Sequence, residues 1–293
     1  MIKWRGVVWS VHPLFVILMI GAVMTGYFLE LFTLFAIVLV HELGHVAAAR
    51  YFGWTVREVK LLPFGGVAEV EEAGGVPAKE EALVALAGPL QNVWLGFVAW
   101  GLGATGIWDE QWSEYVWRAN AMIGLFNLLP VYPLDGGKLL QAALSYMITY
   151  YKAMLWTMRV SMLLSLLIVV AAVVPALLYG HGVQLNFLII GCFLLASNWT
   201  YYRNIPYLFF RFLMYRDRVA EKAVKSGETA RSIIVGSKQT IMSVARLLKR
   251  ENYHLIYLLE PGGYSMKMIP EQEIVRDCLS GRNPYRAVEE LFS

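Results

Sequence analysis

The chain has 293 residues, 58% of them hydrophobic and 16% charged, whereas a soluble domain of this length carries about a quarter charged residues; most of it therefore belongs in lipid. A net charge of +3, with no Lys and Arg clustered among aromatics, argues against direct contact with nucleic acid. Two cysteines, Cys192 and Cys278, exclude a disulfide framework, and neither has metal-ligand spacing.

A membrane-spanning helix needs about 20 apolar residues, and six stretches approach that standard: 7–28, 31–52, 80–106, 115–133, 154–178 and 184–202. The first follows Met1-Ile2-Lys3-Trp4-Arg5 without a small-residue cleavage site, so it reads as a retained helix. Charge placement sets the orientation. With the N-terminus inside, the cytoplasmic face receives Lys3, Arg5, Arg50, Arg57, Lys60, Lys79, Lys138, Lys152 and Arg159, and the outer connections receive Arg118. The sequence thus predicts an α-helical polytopic membrane protein with six spans and both termini cytoplasmic.

The second span carries His41-Glu42-Leu43-Gly44-His45. In this H-E-x-x-H pattern the two imidazoles stand one turn apart on a single helix face, can bind one Zn²⁺ together, and place Glu42 beside it as a general base. The motif is expected by chance about 0.005 times in a chain of this composition. Charged residues at the centre of a span cost roughly 2.5–3.5 kcal/mol each and mark functional sites. The bland alternative is hydrogen-bonded helix glue.

After it, 56–72 reads VREVKLLPFGGVAEVEE, two β-prone runs around Pro63-Phe64-Gly65-Gly66, the signature of a hairpin. Being partly apolar, it is expected to be membrane-associated, with a simple cytoplasmic loop as the alternative. The fourth span ends Asn127-Leu128-Leu129-Pro130-Val131-Tyr132-Pro133-Leu134-Asp135-Gly136-Gly137. Prolines and glycines break the helix there and let Asp135 turn towards the metal as a third ligand, leaving the fourth position for water. The competing reading makes Asp135 a helix cap. Glu69, Glu71 and Glu72 are weaker ligand candidates. On the inside topology, His45 lies roughly 10 Å of helix from the cytoplasmic end of its span, close to the depth of Asp135.

The tail is polar. Residues 204–225 read as an interfacial linker helix, and 226–293 as a small α/β domain: helix 241–251, strand 254–260, turn 261–263, strand 264–269, helix 271–279. The predicted domains are therefore 1–203, 204–225 and 226–293.

The pair His41-Glu42-x-x-His45 and Asn127-x-x-Pro130-x-x-x-Leu134-Asp135-Gly136, with Gly88-Pro89 on the third span, resembles the site-2 protease family of intramembrane zinc metalloproteases over residues 1–202. Finer features, His12-Pro13-Leu14-Phe15, Leu62-Pro63-Phe64-Gly65-Gly66 and Pro133-Leu134-Asp135-Gly136-Gly137-Lys138, are similar to its sporulation branch. The resemblance implies one zinc per subunit held by His41, His45 and Asp135, water activation by Glu42, and substrate contacts at Asn127 and Pro133. The hairpin, with Phe64, Gly65 and Gly66, would present an open edge to an extended substrate. It implies hydrolysis of a membrane-associated precursor of a sigma factor in the mother-cell membrane around the forespore, under regulatory sporulation membrane proteins. The tail is similar to a single cystathionine-β-synthase (CBS) motif, half of the usual pair, which implies ATP or another adenine nucleotide as a regulator and a homo-oligomer that completes the site. A plain docking domain is the alternative.

Two other function classes compete. A zinc carrier requires further intramembrane ligands, and the last two spans offer only Asn186 and Asn198; a nucleotide receptor leaves Glu42 without a purpose. Met19, Met24, Phe15 and Phe64 would either plug a substrate channel or, more simply, pack.

Overall fold

A computed structural model describes residues 2–4, 7–11, 13–62, 65–71, 76–179, 182–259 and 266–291. The chain divides into two compact units, one of residues 1–72, 79–130 and 134–139, the other of 73–78, 131–133 and 140–293.

The first unit pairs helices with a sheet. Strands β1 (Ile2–Trp4), β2 (Val7–Val11), β3 (Thr55–Leu62) and β4 (Gly65–Glu71) form one sheet in the order β1-β2-β3-β4. The expected hairpin is β3 and β4, antiparallel from Thr55↔Glu71 to Leu62↔Gly65, with an irregularity between Val56 and Glu58. Its tip residues Pro63 and Phe64 lie outside the described residues. A correction concerns the N-terminus: 7–28 is not one helix. Residues 7–11 instead pair in parallel with β3, from Val8↔Glu58 to Val11↔Leu61. The run Val7-Val8-Trp9 is as suited to a strand as to a span, and a partner strand about 50 residues further along the chain decides between them.

The helices follow: α1 (Pro13–Thr25), α2 (Phe28–Tyr51), α3 (Ala78–Ala104), α4 (Glu110–Asn127) and α5 (Asp135–Met147). At 13 residues, α1 is about 20 Å long, short of a hydrocarbon core of about 30 Å. Asp109 caps α4 by accepting from the amides of Gln111 and Trp112 at 3.0 and 3.2 Å. Small buried residues let α2, α3 and α4 approach closely: Ile37 packs with Ala99, Val116 and Ala119, and Val46 with Ala49, Val56 and Val84. Strands β3 and β4 lie alongside α2, and the sheet has β1 at one edge and β4 at the other.

The second unit is built on α6 (Tyr150–Tyr179) and α7 (Leu185–Met214), packed along each other. Asn198 on α7 donates to Ser165 Oγ at 3.3 Å, while Leu163, Leu166 and Phe193 are exposed, an apolar surface suited to lipid. Next come α8 (Arg216–Ser226), β5 (Arg231–Gly236), α9 (Ile241–Ala245), β6 (His254–Leu259), β7 (Met266–Pro270) and α10 (Glu271–Leu279). Strand β5 pairs in parallel with β6, and β6 antiparallel with β7. The sequence reading missed β5, a six-residue run with one buried side chain, and the turn expected at 261–263 lies outside the described residues.

No linker helix begins at 204. Helix α7 runs unbroken to Met214, and Phe209, Phe212 and Leu213 enter one core with Met154, Met158, Ile241, Leu248, Ile256 and Ile274. Those aromatics bury against the tail rather than against a lipid surface. Behind them Arg216, 1% exposed, donates Nε to Glu271 Oε1 at 2.9 Å and Nη1 to the carbonyl oxygens of Lys249 and Arg250, and it also reaches Asn252 O. His254 Nδ1 stands 2.8 Å from Glu271 Oε2. A buried ion pair of this kind persists only when its remaining hydrogen-bonding capacity is filled, as it is here.

Among the described residues, four helical segments are long and apolar enough to cross a membrane: Phe28–Tyr51, Ala78–Ala104, Tyr150–Leu178 and Leu185–Ser226. Helix α4 falls outside that group because Glu110, Glu114 and Arg118 occupy its first half.

Candidate metal centre

The spacing of four residues on α2 brings His41 and His45 to one face, with ring centroids 4.8 Å apart. Both are buried, at 3% and 6% exposed. Asp135, the first residue of α5, meets them: its Oδ2 lies 3.1 Å from His41 Nε2 and 3.0 Å from His45 Nε2, and the two Nε2 atoms are 3.1 Å apart. Three residues separated by up to 94 positions thus form a triangle of near-equal sides.

Gly136 makes that approach possible. A side chain there would place its first carbon 2.2 Å from Leu128 O and 2.3 Å from Leu129 O, so only glycine lets the start of α5 lie on the carbonyls that follow α4. Lys138 Nζ, one turn further on, holds the other carboxylate oxygen, Asp135 Oδ1, at 3.3 Å.

The donor set fits zinc on two observations. The Nδ1 of His45 stands 2.7 Å from Val84 O. A carbonyl only accepts, so Nδ1 carries a proton and Nε2 is left as the nitrogen that faces the Asp135 carboxylate. A nitrogen donor and a carboxylate oxygen at this spacing are ligand types that zinc takes. The second observation is the space itself: a carbon added at Gly88 would lie 2.2 Å from His45 Nε2 and 2.7 Å from His41 Nε2. The missing side chain of Gly88 leaves the space beside both Nε2 atoms. Zinc bonded at about 2.0–2.1 Å spaces tetrahedral ligand atoms by about 3.3 Å, close to the edges of this triangle.

Glu42 is half-buried on the same helix, within electrostatic reach of His45, His41, Lys138 and Asp135. The other sequence candidates stand differently. Asn127 is the last residue of α4 and donates Nδ2 to Ile123 O of its own helix at 3.0 Å. Pro133 is half-buried in the turn before α5, after a cis peptide bond to Tyr132. Gly65 and Gly66 begin β4, opposite Leu62 and Leu61. Phe64 and Glu72 lie outside the described residues, and Glu69 and Glu71 belong to β4.

Sequence reasoning missed Asn92 and Asn120. Asn92 Oδ1 lies 2.6 Å from His41 Nδ1, and Asn92 Nδ2 donates to Asn120 Oδ1 at 3.3 Å. A polar amide inside an apolar span was the available signal.

Comparison with known proteins agrees with this geometry. The chain matches peptidase family M50 over residues 29–116 and 104–168. It is 34% identical to stage IV sporulation protein FB of Bacillus subtilis over 99% of this chain and 98% of that protein. It is 36% identical to a zinc metalloprotease of Methanocaldococcus jannaschii over 41% of this chain and 35% of the relative. Among solved structures, a site-2 protease from Methanocaldococcus jannaschii superposes with a TM-score of 0.53 at 25% identity, covering 68% of this chain and 93% of that one.

Proposed function

Since this chain belongs to peptidase family M50, the site-2 proteases, and is thereby a zinc metalloprotease of the membrane, we propose that His41, His45 and Asp135 hold its zinc and that Glu42 is the general base. The observation that carries this is the buried triangle of Nε2, Nε2 and Oδ2 atoms around the volume left by Gly88. Zinc held there supplies Lewis acidity and lowers the pKa of water towards about 7. Glu42 takes the proton of the attacking water and returns it to the leaving amine. Lys138 keeps the second oxygen of Asp135 occupied, so that Oδ2 faces inward.

A helical substrate hides its carbonyls in its own hydrogen bonds and must be extended before it is cut. The edge strand β4, beginning at Gly65 and Gly66, is the element to which an extended segment adds. Asn127, its Nδ2 directed to Ile123 O, offers Oδ1 to the substrate backbone, and Phe64 and Pro133 complete the contacts. We read α1, short enough to require a locally thinned bilayer, and α4 as two further spans, giving six with both termini cytosolic and the site in the cytoplasmic third of the bilayer. Near full-length similarity to a sporulation protein supports a sigma-factor precursor as substrate, processed during sporulation at the membrane around the forespore. The arrangement of β5, α9, β6, β7 and α10 supports a CBS-like regulatory module at 226–293 that takes adenine nucleotide and pairs with a second copy.

The test is co-expression of the precursor with wild type or with Glu42→Gln. Glu42→Gln is expected to keep its zinc and to lose cleavage by at least a hundredfold. Cleavage that survives the substitution would sink the assignment.

A further inference from the structure

Asn92 on α3 and Asn120 on α4 are 2% and 1% exposed, two complete amides inside apolar helices, where a polar group persists only if it is paired. Their pairing has a direction. Asn120 Nδ2 donates to Val116 O at 2.9 Å. Because a carbonyl can only accept, the amide of Asn120 is fixed with its nitrogen towards Val116 and its oxygen towards α3. That oxygen accepts from Asn92 Nδ2 at 3.3 Å, which turns Asn92 Oδ1 towards His41 Nδ1, 2.6 Å away. Each link leaves one orientation for the next, and the last link requires His41 to donate from Nδ1.

We propose that Asn120 and Asn92 form a one-way relay, anchored on Val116 O, that locks His41 in the tautomer with a proton on Nδ1 and a bare Nε2 facing the metal site. Both are positioning residues, and the inference rests on the reading of His41 as a zinc ligand. The two imidazoles thereby reach the same state by different means. His45 is locked by a backbone carbonyl, Val84 O, which no substitution removes, whereas His41 is locked by side chains and can be released. If the Asn92 amide were reversed, its NH₂ would face Nδ1, the imidazole proton would move to Nε2, and the lone pair that binds the metal would be lost.

The experiment measures zinc affinity of the detergent-solubilised full chain by chelator competition, with the visible spectrum of the Co²⁺-loaded protein as a second readout. Asn92→Leu, similar in shape but without an acceptor, is expected to lower zinc affinity by about 10–100-fold and to shift the Co²⁺ bands. Asn92→Asp restores an acceptor for Nδ1–H and is expected to bind zinc at least as tightly as wild type. Asn120→Leu frees the Asn92 amide to turn and is expected to lower affinity by about tenfold, at the low end of that range, while Asn120→Asp keeps the acceptor and the affinity. The Asp variants keep the proposal falsifiable should either Leu variant fail to fold. The relay is overturned if Asn92→Leu binds zinc as wild type does while His41→Ala has lost it. It is equally overturned if Asn92→Asp loses as much affinity as Asn92→Leu, since that pattern means packing. Undiminished zinc in His41→Ala instead overturns the ligand assignment and the relay with it.

Discussion

Replacing Gly88 by alanine tests whether the triangle is a metal site. The added methyl would stand 2.2 Å from His45 Nε2, 2.5 Å from His45 Cε1 and 2.7 Å from His41 Nε2, more than half an ångström inside ordinary contact in every case. A cation bonded to both nitrogens at about 2.0–2.1 Å would lie within about 3.2 Å of that carbon on whichever side it sat. Something must yield, and the imidazoles are pinned at their other ends by Val84 O and Asn92. Overpacking of one methyl costs about 1–3 kcal/mol, partly offset because alanine favours a helix over glycine by about 1 kcal/mol, so the protein is expected to fold. Zinc affinity is expected to fall by at least about a hundredfold, beyond what loss of an outer hydrogen bond does, and cleavage with it. Gly96→Ala is the matched control on the same helix, because its added carbon would meet Asn120 and Trp117 at 3.6 and 3.7 Å, ordinary contact. Zinc content by atomic emission and chelator competition on both purified variants decide the matter. Equimolar zinc with wild-type affinity in Gly88→Ala would refute the reasoning.

Two further predictions concern the second unit. Glu271→Ala leaves the guanidinium of Arg216 buried without its carboxylate, at a cost of about 3–5 kcal/mol. Limited proteolysis should then cut the 216–291 region far faster, and the pair Arg216→Met with Glu271→Leu should recover much of the protection; unchanged resistance in Glu271→Ala would count against the clamp. Cys278 is 4% exposed, and burial, with the Asp277 carboxylate beside it, pushes its thiol up to about 11. At pH 8 only about one thiol in a thousand is then the reactive thiolate. In a Cys192→Ser background a maleimide should label the protein only as fast as the tail opens, and rapid labelling in native conditions would contradict that burial.

Much of the site was legible because helical periodicity alone brings His41 and His45 to one face, and because ionisable groups within an apolar span demand a reason. Asp135 was legible from the broken helix around it. What stayed hidden depended on partners remote in sequence. Val7–Val11 is apolar enough for a span and β-prone enough for a strand, and its parallel pairing with β3 is a tertiary fact. Phe209 and Phe212, on the stretch 204–225 that reads as an interfacial helix, are buried by the tail that packs on them. The directed chain from Val116 O to His41 crosses three helices, and no spacing announces it.

The sequence by itself determined the chemistry of this protein: a predominantly apolar chain, two histidines one helical turn apart with a glutamate beside the first, and one aspartate after a helix break, because residue type and period are local properties. The tertiary structure decided how those groups gather into a cluster that could hold a metal. The contact of Gly136 on the end of α4 seats Asp135, the absent side chain of Gly88 leaves the volume, and Val84 and Asn92 bond the outer nitrogens of the imidazoles. Each of these depends on how closely separate helices approach, which packing sets and a one-dimensional pattern does not encode.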